Sequence, residues 1–368
     1  MKTSEALFQA RQSLVLNGVS NSKLDSLILL THAFFILGKT VSKEQIIFNP
    51  EVKLDDDQQE VFFKLVARRA KREPVSYIIG KREFFGSDFL VNSGVLDPRP
   101  DSETLVELVL KKFSDKKQQI KILEVGVGSG CLIISILKEL KNSQAIGLDI
   151  SQLALEVCKK NAELHQVEER LLVLKSNIFE ALFLGNINFL PEIEPNQSLN
   201  SIKNQKSIAN EEVHFSAQAI KNSPNYLDNL NSIEYIADAL IHSPRSNSKL
   251  VKLDDKSNLI SPDLQKFDLI ISNPPYISSS EIETLQDEVK IYEPRTALDG
   301  GSDGLDFYRK IALDAKKFLK NSGKIILEIG VGQGTKITKI FSKNGFALES
   351  SKPDLSGVER VLCFANKN

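Results

Sequence analysis

IKILEVGVGSGCLIISIL, residues 120–137, is the stretch whose reading decides the fold. Ile120 to Val125 reads as a buried strand. Three glycines follow at 126, 128 and 130, and Cys131 to Leu140 reads as a helix. A strand that runs through small residues into a helix start holds ligands well. Glycine lets the backbone come close, and the first helical N–H groups have no partner inside the helix. A dinucleotide fingerprint, GxGxxG, would need its third glycine at 131, where this chain has Cys131. Outward from this stretch, Ala145–Leu148, Leu171–Leu174, Phe267–Ser272 and Lys324–Ile329 read as further strands, with a strand pair expected at the end of the chain. A helix at Ser151–His165, capped by Ser151, lies among them. Strand–helix alternation of this kind predicts an α/β domain with a mostly parallel sheet wrapped by helices.

The glycine spacing itself, GxGxG, is the form typical of S-adenosylmethionine sites. Asp149 stands 19 residues after Gly130 at the end of the next strand, where a carboxylate can accept from both hydroxyls of a ribose. A third element ends another strand: Ser272-Asn273-Pro274-Pro275-Tyr276. The two prolines fix the backbone. Asn273 offers an amide oxygen and an NH2 group, and Tyr276 offers a flat face. Such a cup suits a planar amide or exocyclic amine, whose N–H groups it can accept. The run Glu328-Ile-Gly330-Val-Gly332-Gln-Gly334 also follows a strand. No ribose-binding acid follows it at the right place, so it reads as a strand-to-helix turn.

Residues 1 to about 75 read as helical. Asp25 to Leu37 is apolar at 27, 30, 34 and 37. Asp55 to Arg72 carries Val61, Phe62, Leu65 and Val66 on one face. Lys64, Arg68, Arg69, Lys71, Arg72, Lys81 and Arg82 form a basic cluster: a solvated face, or a docking surface for an acidic partner. The apolar stretch Leu24–Leu37 has 14 residues, against about 20 for a membrane span. The first residues lack an apolar signal core. Glu83–Asp97 reads as a hairpin with Gly86-Ser87-Asp88 as its turn, and Asp101 as the cap of the helix that follows. Residues 183–265 hold 12 Asn and 11 Ser. That composition reads as a loosely packed insertion with one short helix at Ile233–Ile241.

Composition narrows the function further. The 368 residues are 41% hydrophobic and 26% charged, a globular balance. Lys+Arg 47 against Asp+Glu 48 gives a net charge of -1, with no global field to attract nucleic acid. Three scattered cysteines and four histidines give no disulfide framework and no metal-ligand spacing.

Asn-Pro-Pro-Tyr is the hallmark of methyltransferases that act on planar nitrogens. With it, PVSYIIGKREFFGSDFLVNSGVLDPRPDSETLVE (74–107), EPRTALDGGSDGLDFYRKI (293–311) and SGVERVL (356–362) make the chain resemble the release factor glutamine methyltransferase (HemK-type) family over all but the 183–265 insert. The family's usual run before Pro98 is of a Val-Leu-Ile-Pro-Arg-Pro type, so Asp97 is an unusual residue. The resemblance implies a Rossmann-like class I methyltransferase domain with a mostly parallel seven-stranded sheet. It also implies a small all-helical N-terminal domain and a β-hairpin linker before it, with boundaries at 1–80, 81–115 and 116–368. It implies that Glu124, Gly126, Val127, Gly128, Ser129, Gly130 and Asp149 hold S-adenosylmethionine. Asn177 and Ile178 would lie beside the adenine. Asn273 and the Pro274 carbonyl would bind the glutamine amide, with Pro275 and Tyr276 completing the cup and Asn273 also near the cofactor. S-adenosylhomocysteine would be the product, with no metal. The substrate implied is the Gly-Gly-Gln loop of class 1 peptide chain release factors, and the protein is expected to be a cytoplasmic monomer without membrane or nucleic-acid partners.

Other readings of the residues stay open. One is an adenine-type amino methyltransferase of nucleic acid, which shares the Asn-Pro-Pro-Tyr cup. A second is a glutamine methyltransferase of a ribosomal protein. A NAD-dependent dehydrogenase is opposed by Cys131 and by the lack of a catalytic His or Tyr/Lys set. An inactive binding protein is opposed by the intact glycines, Asp149 and Asn273.

Overall fold

The structure, a computed structural model, describes residues 1–183 and 266–367. The insertion and short helix expected within 183–265 fall, apart from Phe183, outside those residues. Two compact units divide at Ile79/Gly80.

The first unit is helical: α1 (Thr3–Leu16), α2 (Ser22–Ile36), α3 (Lys43–Phe48), α4 (Asp56–Ala70) and α5 (Val75–Ile79). Helix α4 starts where Asp55 accepts from the Gln58 N–H at 2.9 Å while the Gln58 side chain accepts from the Asp55 N–H. Its apolar stripe Val61, Phe62, Leu65 and Val66 is buried against Leu27, Leu30 and Phe34 of the same core. The basic cluster is largely consumed inside the fold. Arg69 is buried and donates to the buried Asp25 at 2.7 Å. Arg68 forks onto Glu73, Lys64 pairs with Glu60, and Arg72 donates to the Gly18 carbonyl. Among the described residues no helix is long and apolar enough to cross a membrane.

The second unit opens with a hairpin of β1 (Lys81–Phe84) and β2 (Ser87–Leu90). Its turn is Phe85-Gly86, not the expected Gly86-Ser87-Asp88. Both turn residues have positive φ, the two-residue geometry that matches strand twist, and Ser87 and Asp88 pair with Phe84 and Glu83. Asp101 does not cap the next helix. Pro100–Ser102 forms a 3-10 turn ahead of α6 (Glu103–Lys112), and Asp101 within that turn pairs with Arg360 at 3.1 Å.

Then come β3 (Lys121–Val125), α7 (Cys131–Glu139), β4 (Gln144–Asp149), α8 (Gln152–Leu164), β5 (Leu171–Lys175), α9 (Glu180–Phe183) and β6 (Phe267–Ser272). They are followed by α10 (Asp287–Tyr292), α11 (Asp306–Phe318), β7 (Leu319–Glu328), α12 (Gly334–Lys343), β8 (Phe346–Pro353) and β9 (Glu359–Asn366). Ser151 caps α8 by accepting from the Ala154 N–H. Strand β7 starts five residues before the sequence suggests, directly from α11.

Seven strands form one sheet in the order β5-β4-β3-β6-β7-β9-β8, parallel except where β9 runs against β7 and β8. This is the Rossmann-like class I arrangement. Ile122, Leu269, Ile271 and Ile326 are fully buried in the sheet, as expected of strands covered on both faces. The chain order reverses between β3 and β6, which pair side by side through Glu124↔Ile271. Ligands of open α/β sheets bind outside the carboxyl ends of strands at such a switch point.

Candidate functional site

At that point lies a cavity of about 450 Å³. Its floor is the turn after β3. Gly126, Gly128 and Gly130 all have positive φ, from 53° to 80°, which only glycine adopts without strain. They do different things. A Cβ on Gly126 or Gly128 would meet nothing within 4 Å, so both present bare backbone to open space. A Cβ on Gly130 would lie 2.7 Å from the Cys158 sulfur and 2.8 Å from Ile134 Cδ1. Gly130 is therefore a packing residue, and it does not line the cavity. Val127 folds down onto Gly147 of β4, and the Gly126 and Val127 N–H groups donate to the Leu148 carbonyl.

Two carboxylates shape this floor. Asp149 accepts from the Gly128 N–H and the Ser151 N–H, each at 2.9 Å, so it fixes the turn while still lining the cavity. Burial raises its pKa, against those backbone N–H groups. Glu124 is buried, accepts from the Ile133 N–H at 3.2 Å near the start of α7, and has a pKa pushed well up by desolvation. Beyond β5, Asn177 donates to Glu180. Ile178 sits at φ 54, a costly conformation for a β-branched residue. Ser176 holds it by donating to the Ile178 carbonyl at 2.8 Å.

The opposite wall is the turn after β6. Ser272 donates to the Val125 carbonyl at 2.6 Å and so ties this wall to the end of β3. Asn273, Pro274 and Pro275 line the cavity. The Asn273 Nδ2 donates to Ser102 Oγ at 3.2 Å, which leaves its Oδ1 for the cavity. Tyr276 turns the other way. Its ring lies against Gly330, its carbonyl accepts from Gln333 Nε2 at 2.9 Å, and burial pushes its phenol up to about 12. The second glycine run is thus a strand-to-helix turn that braces the first residue after the prolines.

The sequence reading left three groups of lining residues without roles. The Leu96–Ser102 segment brings Arg99, the 294–299 segment brings Arg295 and Asp299, and Ile150 follows Asp149. Arg99 pairs with the buried Glu293 at 2.5 Å. Asp97 lies buried between Arg82 and Arg99, 3.9 and 3.8 Å away, so two guanidinium groups compensate this unusual acid. Segments 74–107 and 293–311 carried the resemblance, and their joint presence was the signal for this wall. Asn161 secures the hairpin behind it, with its side chain bonded to both backbone groups of Leu90 and to the Ser129 carbonyl. Among the described residues, no group of three or more His, Cys, Asp or Glu is placed to hold a metal ion.

The donor set fits S-adenosylmethionine. Bare backbone at Gly126 and Gly128 leaves room for a chain of atoms, and the Asp149 carboxylate keeps lone pairs free for hydroxyls.

Comparison with known proteins agrees with this arrangement. Residues 5–80 match the PrmC N-terminal domain family, and residues 105–188 match the ribosomal protein L11 methyltransferase (PrmA) family. A bifunctional methyltransferase of Rickettsia felis is 32% identical over 99% of this chain and 58% of its own length. The chain spans only about half the length of such bifunctional relatives. Two relatives of similar size are matched nearly end to end. The release factor glutamine methyltransferase of Geobacter sulfurreducens is 32% identical over 94% of this chain and 90% of its own. That of Agrobacterium fabrum is 30% identical over 98% and 96%. At that identity, over nine tenths or more of both chains, the chain belongs to the release factor glutamine methyltransferase family.

Proposed function

We propose that this chain methylates the side-chain amide nitrogen of the glutamine in the Gly-Gly-Gln motif of class 1 release factors. One observation carries the reading. The Asn273 amide oxygen and the glycine turn face one cavity, and the bond from Ser272 to the Val125 carbonyl holds the two walls together.

S-adenosylmethionine, when bound, supplies an activated methyl group on its sulfonium. The chain's own residues do the rest. Gly126, Gly128 and Asp149 hold the cofactor, with Glu124, Val127 and Ser129 shaping the turn and Asn177 and Ile178 beside the adenine. An amide nitrogen is a weak nucleophile because its lone pair is delocalised, so placement and electrostatics have to supply the gain. Asn273 Oδ1 and the Pro274 carbonyl each accept one amide N–H, which turns the nitrogen toward the methyl group. Pro274 and Pro275 hold those acceptors rigid. The helical unit grips the release factor, since a lone glutamine loop offers little surface for selection. The reaction takes place in the cytoplasm, with the chain acting as a monomer.

The test is methyl transfer from labelled S-adenosylmethionine to three acceptors: release factor, the same factor with its Gly-Gly-Gln glutamine replaced, and unmethylated DNA or RNA. Label that disappears with the glutamine supports the reading. Label on nucleic acid would move the activity to the adenine-type alternative, for which Arg68, Arg69 and Arg72, each engaged within the helical unit, are poorly placed. Label on ribosomal protein in place of release factor would refute the substrate named here.

A further inference from the structure

The strand pairing that places Asn273 also places a carboxylate beneath it. Ser272 of β6 is in register with Leu327 of β7, so the next residues along the two parallel strands, Asn273 and Glu328, are neighbours at the carboxyl edge of the sheet. Glu328 is 1% exposed, and its Oε2 is buried without a hydrogen-bond partner. Its backbone carbonyl accepts from the Tyr308 hydroxyl at 2.8 Å, which fixes the main chain there. Ser102 and Asn273 are the hydrogen-bonding neighbours of its carboxyl group. Glu328 does not line the cavity; Ser102 and Asn273 do. A buried carboxylate costs stability unless hydrogen bonds and opposite charge compensate it, and one oxygen of this one has no partner. Packing alone would be met by an apolar residue here.

We propose that Glu328 is a positioning residue, which acts directly and through Ser102 to set which end of the Asn273 side-chain amide faces the cavity. The argument is one of donor and acceptor counting. An ionised carboxylate only accepts. It therefore takes the single proton of the Ser102 hydroxyl. Ser102 Oγ is then left as an acceptor, and Asn273 must offer it Nδ2, as the 3.2 Å contact shows. With Nδ2 committed, Oδ1 faces the cavity and can accept from a substrate amide. Without the carboxylate the hydroxyl can donate to Oδ1 instead. Asn273 then turns NH2 toward the cavity, where it opposes the N–H groups of the substrate. The other charged or titratable groups facing Glu328 are Arg360 of β9, Asp101 of the 3-10 turn, Tyr276, Tyr308 of α11 and Cys131 of α7. Burial lifts the Glu328 carboxyl to about 7 and Asp101 adds to the rise, while Ser102, Arg360 and Asn273 favour the ionised form, so the arrangement described belongs to the ionised carboxylate above about pH 7.

This inference rests on the glutamine amide reading for its kinetic test, and has one test that does not depend on it. In methyl transfer by the full chain, Glu328→Gln and Ser102→Ala should each lower kcat about 10- to 100-fold, short of the loss of a direct contact. The affinity for S-adenosylmethionine should stay within about twofold. The double variant should lose no more than about the worse single one, because both act on the one orientation of the Asn273 amide. Independently, the side-chain NH2 signal of Asn273, assigned by its loss in Asn273→Ala, should lose exchange protection in both variants. Full kcat in folded Glu328→Gln, equal loss of cofactor affinity, additive losses, or an unmoved Asn273 signal would each overturn the proposal. Absence of release factor methylation by the unaltered chain would instead strike at the activity reading, and the Asn273 signal would still decide this one.

Discussion

Alanine at the three glycines of the turn after β3 should separate binding from folding. All three need positive φ, and an alanine there costs about 1–2 kcal/mol. For Gly128→Ala that is the whole stability cost, since its Cβ would meet nothing within 4 Å. The methyl would instead stand in the space assigned to the cofactor. For Gly130→Ala the methyl would lie 2.7 Å from Cys158 Sγ and 2.8 Å from Ile134 Cδ1. Both neighbours are fully buried, so neither can swing away. Overpacking of that kind adds about 1–3 kcal/mol, which brings the combined cost to about 2–5 kcal/mol. The assay pairs thermal denaturation without cofactor with titration calorimetry for S-adenosylmethionine. Gly126→Ala and Gly128→Ala should fall little in Tm and lose about tenfold or more in affinity. Gly130→Ala should show the largest drop in Tm, by several degrees. If Gly128→Ala bound the cofactor normally, or if Gly130→Ala were no less stable than Gly128→Ala, the division of labour drawn here would be wrong.

Three further outcomes are expected. Ser272→Ala removes the 2.6 Å bond to the Val125 carbonyl, should cost about 1–3 kcal/mol through that orphaned buried carbonyl, and should lower kcat more than it raises KM for the cofactor; a change confined to Tm would show that the bond does not align the two walls. Asp25→Ala leaves the Arg69 guanidinium buried without its carboxylate and should destabilise the helical unit by about 3–5 kcal/mol, read as faster proteolysis within residues 1–79. Burial lifts the Glu293 carboxyl to about 7, partly offset by Arg99. The folded state thus holds the proton more tightly than the unfolded chain, and this contribution to stability falls as pH rises from about 4.5 to 7. Glu293→Gln should therefore gain stability relative to the unaltered protein between pH 5 and pH 8, by at most about 3 kcal/mol, read as a Tm difference that grows with pH; a constant difference would refute the shift.

Much of this was legible from residue order. The strand, glycine turn and helix of 120–140 could be read because hydrophobic run, special φ and helix start coincide within a few residues. The Asn273 cup was equally local. What escaped was set by pairing and partners that no single residue's propensity shows. Phe85 took a left-handed turn position because strand pairing dictated a two-residue connection, although a β-propensity scale counts it as a strand former. Asp101 was claimed by Arg360, more than 250 positions away, and by the 3-10 turn that Pro100 starts. Tyr276 could not be aimed from sequence, because the group that holds its carbonyl, Gln333, lies 57 positions on, at the start of α12.

That last contact explains why the chain carries two glycine runs that look alike. After β3, bare backbone faces space. After β7, the same residue type serves close approach: a Cβ on Gly330 would come within 3.1 Å of the Tyr276 ring, and Gly330 N–H donates to Gln333 Oε1 while Gln333 Nε2 holds the Tyr276 carbonyl. Gly304 presses on the same carbonyl, where a Cβ would stand 2.3 Å away. The Asn-Pro-Pro-Tyr turn is thus clamped from behind at its fourth residue and tethered at Ser272 just before its first. Two prolines span the interval. A cup that must hold two acceptors still against a mobile amide substrate needs both ends fixed. A rigid dipeptide between loose ends would only carry its disorder into the cavity.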